Sequence, residues 1–186
     1  EDPIARAHYA VALRRSGNPL ATDQVSHLME DPDEQVCFVA IKWISDDKLI
    51  AHREQMLEQL NRPDLTQKLM FAILAAQQRL DGMRLSDKPS SKQLLPILEN
   101  DAKPTSLRAL ALSLIPAEQL SLDQLRLWAH HESPEIRLEA IRNLQGSGNS
   151  EYIEILATTA GDADQSARIR AEAIVGLAVD PEVHQS

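Results

Sequence analysis

SPEIRLEAIRNL, from Ser133 to Leu144, decides how the chain is read, because the phrase returns as SARIRAEAIVGL (Ser166–Leu177) and PTSLRALALSLI (Pro104–Ile115). Each copy places an apolar residue, then an arginine, a small residue three positions on, and a leucine or isoleucine four beyond that. Positions three and four apart share one face of an α-helix. Similarity that recurs every few tens of residues marks stacked helical pairs, none of which buries its apolar face alone.

With the small residue as a ruler, the equivalent positions are Tyr9, Ala40, Ile73, Ala111, Ala140 and Ala173, separated by 31, 33, 38, 29 and 33 residues. The long step coincides with LDGMRLSDKPSSKQ (80–93), a polar stretch that predicts an extended loop and the least regular joint. Asp2-Pro3, Asp31-Pro32, Pro63-Asp64, Lys103-Pro104 and Ser133-Pro134 each precede an apolar periodic run, as proline does in a first helical turn. Ser133 and Ser166 read as N-caps. Partner helices are expected near 22–30, 46–61, 90–100, 121–131 and 150–160. Pro96 should bend one of them. In the third repeat Met70 stands in the place of the arginine, and in the second Cys37 does.

Hydrophobic residues make up 43% of the 186 residues and aromatic ones only 3%, a balance suited to helix-on-helix packing rather than to sheets. With 19 Lys and Arg against 28 Asp and Glu, the net charge of -9 disfavours a nucleic-acid partner. One cysteine excludes an internal disulfide and a four-thiolate metal site. No apolar run approaches the roughly 20 residues that span a bilayer, so membrane insertion is not expected. The chain begins at Glu1 inside a repeat and stops soon after Asp180-Pro181-Glu182, which would open another element. It reads as one domain over 1–186, of five to six repeats, cut from a longer protein.

The phrase of Asp-Pro or Ser-Pro, then apolar, arginine and small residues, preceded by LLPILEND (Leu94–Asp101), resembles HEAT-type repeats. The resemblance implies an all-α, right-handed α-solenoid whose arginine-bearing helices line the concave face. It also implies that Arg6, Arg108, Arg137 and Arg170 bond an acidic residue or carbonyl in an inter-helix turn. AIKWISD at Ala40, RLDG at Arg79, SPEIRLEAIRNL and ARIRAEAIVGLA are similar to the HEAT segment of large exported bacterial proteins. Those couple a sugar-dehydrogenase-like β-propeller to a heme-binding domain of c type. This narrower resemblance implies a periplasmic or exported address, and no electron-transfer residue, since Cys-x-x-Cys-His is absent.

Little else in the sequence carries chemistry. His8, His27, His52 and His184 lie in different elements, and the adjacent His130 and His131 point about 100° apart on a helix. HEAT-like di-iron hydroxylases use several His-Glu pairs, whereas this chain has His131-Glu132 alone. Nothing positively supports the HEAT-like bilin lyases. In HEAT-like alkyl-base DNA glycosylases aromatic residues face the lesion; Trp43 and Phe71 are candidates for that role, with packing the simpler assignment. Cys37 is expected to be a buried, inert thiol. QGSGNS reads as a turn capped by Gly146 or Gly148 rather than a nucleophile elbow. No catalytic, cofactor or metal residue is assigned.

Two positions beyond the small residue, Val11, Lys42, Ala75, Ser113, Arg142 and Val175 should face the concave solvent side, with Arg15, Gln35, Lys68, Arg79 and Glu135 one turn away. Lys42, Lys68, Arg79 and Arg142 are the candidate surface for an acidic peptide or a flanking domain. The function expected is a non-enzymatic scaffold or protein-interaction module of a larger bacterial multidomain protein. The alternatives are the spacer or docking arm of a heme-binding dehydrogenase-type protein, and a HEAT-like enzyme.

Overall fold

The computed structural model describes residues 2–84, 89–146 and 149–179. Among them are eleven α-helices and no strand. The chain divides into two compact units, Glu1–Pro89 and Ser90–Ser186, and the division falls in the expected joint. Part of that joint (85–88), the middle of QGSGNS (147–148), the Asp180-Pro181-Glu182 punctuation and His184 lie outside the described residues.

The first unit contains α1 (Pro3–Arg15), α2 (Gln24–Met29), α3 (Glu34–Asp47), α4 (Arg53–Glu58) and α5 (Gln67–Leu80). The long helices pack in series, α1 on α3 and α3 on α5, while the short α2 and α4 lie against α3 and α5. Their starts follow from side-chain caps. Asp2 accepts from Ile4 N, Asp33 from Gln35 N and Val36 N, and Thr66 from Leu69 N. Each thereby satisfies an amide left over in a first turn. Pro32 and Pro63 stand in the turns before α3 and α5 rather than inside their first turns. The partner helix expected over 46–61 is shorter, because α3 runs on to Asp47 and closes at Lys48 in the left-handed region (φ 52). Only Arg53–Glu58 is α-helical there, between 3-10 turns at Ile50–His52 and Gln59–Asn61.

The second unit contains α6 (Ser91–Leu98), α7 (Thr105–Leu114), α8 (Leu122–Ala129), α9 (Pro134–Asn143), α10 (Ser150–Gly161) and α11 (Ala167–Val179). They pair as α6 with α7, α8 with α9 and α10 with α11, and α9 packs on both α7 and α11. Ser121 and Gln124 form a capping box at α8. Ser166 Oγ accepts from Ile169 N at 3.3 Å, as an N-cap should. Ser133 stands at the N-cap of α9, but its hydroxyl makes no cap bond; its own N–H donates to His131 Nδ1 at 3.0 Å instead. Pro96 sits near the end of α6 and is exposed, so the carbonyl it leaves without an intrahelical amide belongs to Lys92, on an exposed face.

The ruler holds in five of its six positions, since Ala40, Ile73, Ala111, Ala140 and Ala173 are all 0% exposed. Tyr9 breaks it: it is 54% exposed and Ala10, one residue on, is fully buried. The slip follows from α1 itself, where Ala7 and Ala10 form the inward face and Arg6 precedes it by one position. Around the buried small residues stand Val36, Ile44, Met70 and Leu69 in the first unit and Leu112, Ile136, Ile141 and Leu144 in the second. Each fully buried aliphatic side chain of this kind is worth about 1.5–3 kcal/mol relative to exposure.

Candidate interaction surface

Of the repeated arginines expected to bond an inter-helix turn, Arg108 and Arg137 do so and Arg170 does not. Arg108 donates through Nε to Leu98 O at 2.7 Å, pairs with Asp101 at 2.8 Å, and brings Nη2 within 3.4 Å of His131 Nε2. Arg137 Nη1 bridges His131 O (2.7 Å) and Glu132 O (2.9 Å), closing the turn before α9, while its buried Nε has no partner. The Arg170 side chain is exposed and bonds no described residue. Arg6 is not equivalent to these, lying one position off, yet it makes a bidentate pair with Asp31 at 2.7 and 2.9 Å. Asp31 begins the turn before α3, so Arg6 ties α1 to the following pair.

Cys37 occupies the arginine position of α3 and is buried, as expected. Its thiol lies 2.9 Å from Asp31 O and 3.3 Å from Met29 O, the turn carbonyls that an arginine would otherwise bond. The missing guanidinium arrives from elsewhere. Arg62, in the turn before α5, reaches Cys37 Sγ at 2.8 Å and Asp31 O at 3.3 Å while held by Asp64 at 2.6 and 2.8 Å. Burial pushes the Cys37 thiol up, against the opposing pull of Arg62, which favours the thiol over the thiolate. Nothing in the repeated phrase pointed to Arg62, because it stands outside the helical period.

A groove of about 520 Å³ opens between α3 and α5. It exists because α5 presents Ala72, Ala75 and Ala76 opposite Phe38 and Ile41, and short side chains leave room between two helices. Met83 also lines it, and Lys42, Ser45, Asp46 and Arg79 supply its polar side chains. A second hollow, between α1 and α3, is lined by Val11, Arg14, Arg15, Val39, Lys42 and Asp47, so Lys42 borders both.

Asp46 organises these polar side chains. It lies in the last turn of α3, the end where a carboxylate opposes the helix dipole, yet it receives Arg14 at 3.0 Å, Lys42 at 2.9 Å and Arg79 at 3.5 Å from α1, α3 and α5. The Lys42 ammonium, and then Arg14, hold its carboxyl below the usual range despite partial burial. Arg14 also grips Asp47 at 2.7 Å.

Of the four residues expected to form a partner surface, Lys42 and Arg79 line the groove. Lys68 stands on the same unit, paired with Glu34 at 3.0 Å and 4.9 Å above the Phe38 ring. Arg142 belongs to the second unit and pairs with Glu139 at 2.8 Å and Glu172 at 3.3 Å. Each of the four therefore carries a carboxylate partner. The positions two beyond the ruler, Lys42, Ala75, Ser113, Arg142 and Val175, are all exposed, while Val11 is half-buried because of the slip in α1.

Trp43 is 3% exposed, a packing residue, whereas Phe71 is 46% exposed. His130 Nδ1 contacts Arg126 O at 2.9 Å. Among the described residues no group of three or more His, Cys, Asp or Glu side chains is arranged to hold a metal ion, and no helix is long and apolar enough to cross a membrane. No family model, no curated protein and no solved structure matches the chain.

Proposed function

We propose that each unit is a short stack of HEAT-like repeats, right-handed in the solenoid sense, and that the chain serves as a non-enzymatic scaffold or protein-interaction module of a larger bacterial protein. The observation that carries this reading is the recurrence of one geometry. In α3, α5, α7, α9 and α11 a fully buried residue is followed two positions later by an exposed one. Within each unit, successive long helices thus turn equivalent positions outward, which is how repeat proteins build a binding face. The periplasmic or exported address remains part of the proposal, supported by the likeness of AIKWISD and RLDG to exported multidomain proteins.

Site-specific photocrosslinking tests the reading. A crosslinker at Lys42 or Ser113, on the long helices, is expected to give a discrete adduct with a protein that then binds the purified chain. The same crosslinker at Lys92 or Asp123, exposed on the short helices, should not. Equal capture from both sets, or capture from neither, overturns the assignment of a binding face.

A further inference from the structure

The groove between α3 and α5 combines an apolar floor with a positively charged edge, and that combination specifies an occupant. We infer that it binds a short segment of a partner protein in which apolar anchor residues are flanked by aspartate or glutamate. The inference rests on the interaction-module reading and narrows it to one site and one chemistry.

Three observations carry it. The floor, built on Phe38, Ala72 and Ala75 with Met83 at 42% exposure, offers apolar surface in a cavity of about 520 Å³, within the range of sites that enclose a ligand. The edge carries a surplus of positive charge, since Lys42 and Arg79 share the single carboxylate of Asp46, and Arg14 and Arg15 line the adjoining hollow that Lys42 also borders. Arg15 is exposed and has no ion partner among the described residues. This surplus sits on a chain whose formal charge is -9, so it marks a local preference for anions rather than a general one. Finally, Asp46 draws cations from three helices to one point at the rim. An incoming carboxylate meets donors already positioned, and little side-chain freedom is lost on binding. An extended strand has no sheet edge to join among the described residues, so apolar anchors in the groove supply the affinity.

The test is selection of displayed random 12-residue peptides on the intact chain, followed by fluorescence anisotropy with the enriched peptides. Enrichment of apolar residues flanked by Asp or Glu is expected, with binding that weakens as salt rises. Ala75→Glu, at an exposed floor position, should weaken binding at least about tenfold, and Arg79→Gln about three- to tenfold. Should Ala75→Glu fail to fold, Arg79→Gln and the salt dependence still decide. Peptides that lack acidic residues, or that bind both variants as tightly as the parent, overturn the groove while leaving an interaction face elsewhere. Failure to enrich any peptide also overturns it, and photocrosslinking from Ser113 on the other unit judges the broader reading separately.

Discussion

The two units repeat one helical pattern and hold it together with different chemistry. In the first, neighbouring helices are joined by ion pairs between charged side chains: Arg6 to Asp31, Arg14 to Asp46 and Asp47, Arg53 to Asp81, and Lys68 to Glu34. In the second, polar side chains more often seek backbone carbonyls. Arg137 bonds His131 O and Glu132 O, Asn143 bonds Leu112 O, and Gln145 bonds Glu172 O. A carbonyl does not titrate and a carboxylate does. The pattern of buried small residues therefore sets where helices lie, and the turn chemistry sets under which conditions they stay there.

Acid should separate the units most. Arg6 holds the Asp31 carboxyl below its ordinary range, Lys68 does so for Glu34, Lys42 for Asp46 and Arg53 for Asp81. In the second unit Arg142 does this for Glu172. A carboxyl whose pKa is lower in the folded chain stabilises it above the unfolded value, near pH 4, and that contribution is lost as pH falls through the folded value. Hydrogen exchange followed from pH 5 down to pH 2, corrected for intrinsic rates, should show residues 2–84 losing protection before residues 90–146. Simultaneous loss would dissolve the contrast.

Single substitutions sharpen it further. Asp31→Ala leaves Arg6 without its bidentate partner and also removes the acceptor for Asp33 N at 2.8 Å. Thermal unfolding should report a loss of about 2–3 kcal/mol, confined to the first unit in hydrogen exchange. Arg137→Ala should cost about 1–2 kcal/mol in the second unit, since the turn carbonyls lose their donor but an unpartnered Nε is removed with it. An unchanged melting curve would show that these arginines do not brace the turns. The smallest effect belongs to Arg142→Ala, whose own side chain is 40% exposed; a change within about 0.5 kcal/mol is expected by the same measurement.

What was legible in the sequence was whatever the helical period repeats. Ala40, Ile73, Ala111, Ala140 and Ala173 are interior because packing of one long helix on the next requires a small or apolar residue there, and that requirement recurs in register. Tyr9 falls out of register because α1 is rich in alanine, so two adjacent frames look alike, and Arg6 stands three before Tyr9 just as Arg137 stands three before Ala140. Arg6 nevertheless finds an acidic turn residue, from a position shifted by one. Arg62 and Asp46 were not legible. Arg62 acts across 25 residues on Cys37 from an irregular turn, and Asp46 sits where the sequence suggested the opening of a partner helix rather than the close of α3. The groove itself depends on three alanines facing two larger side chains across separate helices, a juxtaposition visible only once α3 and α5 are side by side.

The single thiol gives the chain a built-in reporter. Cys37 is shielded by the turn before α3 and by Arg62, so an alkylating reagent can meet it only when that part of the first unit opens. Its modification rate in the unaltered protein would thus read the opening equilibrium of one unit while remaining blind to the other. No label need be introduced to watch half of the molecule come apart.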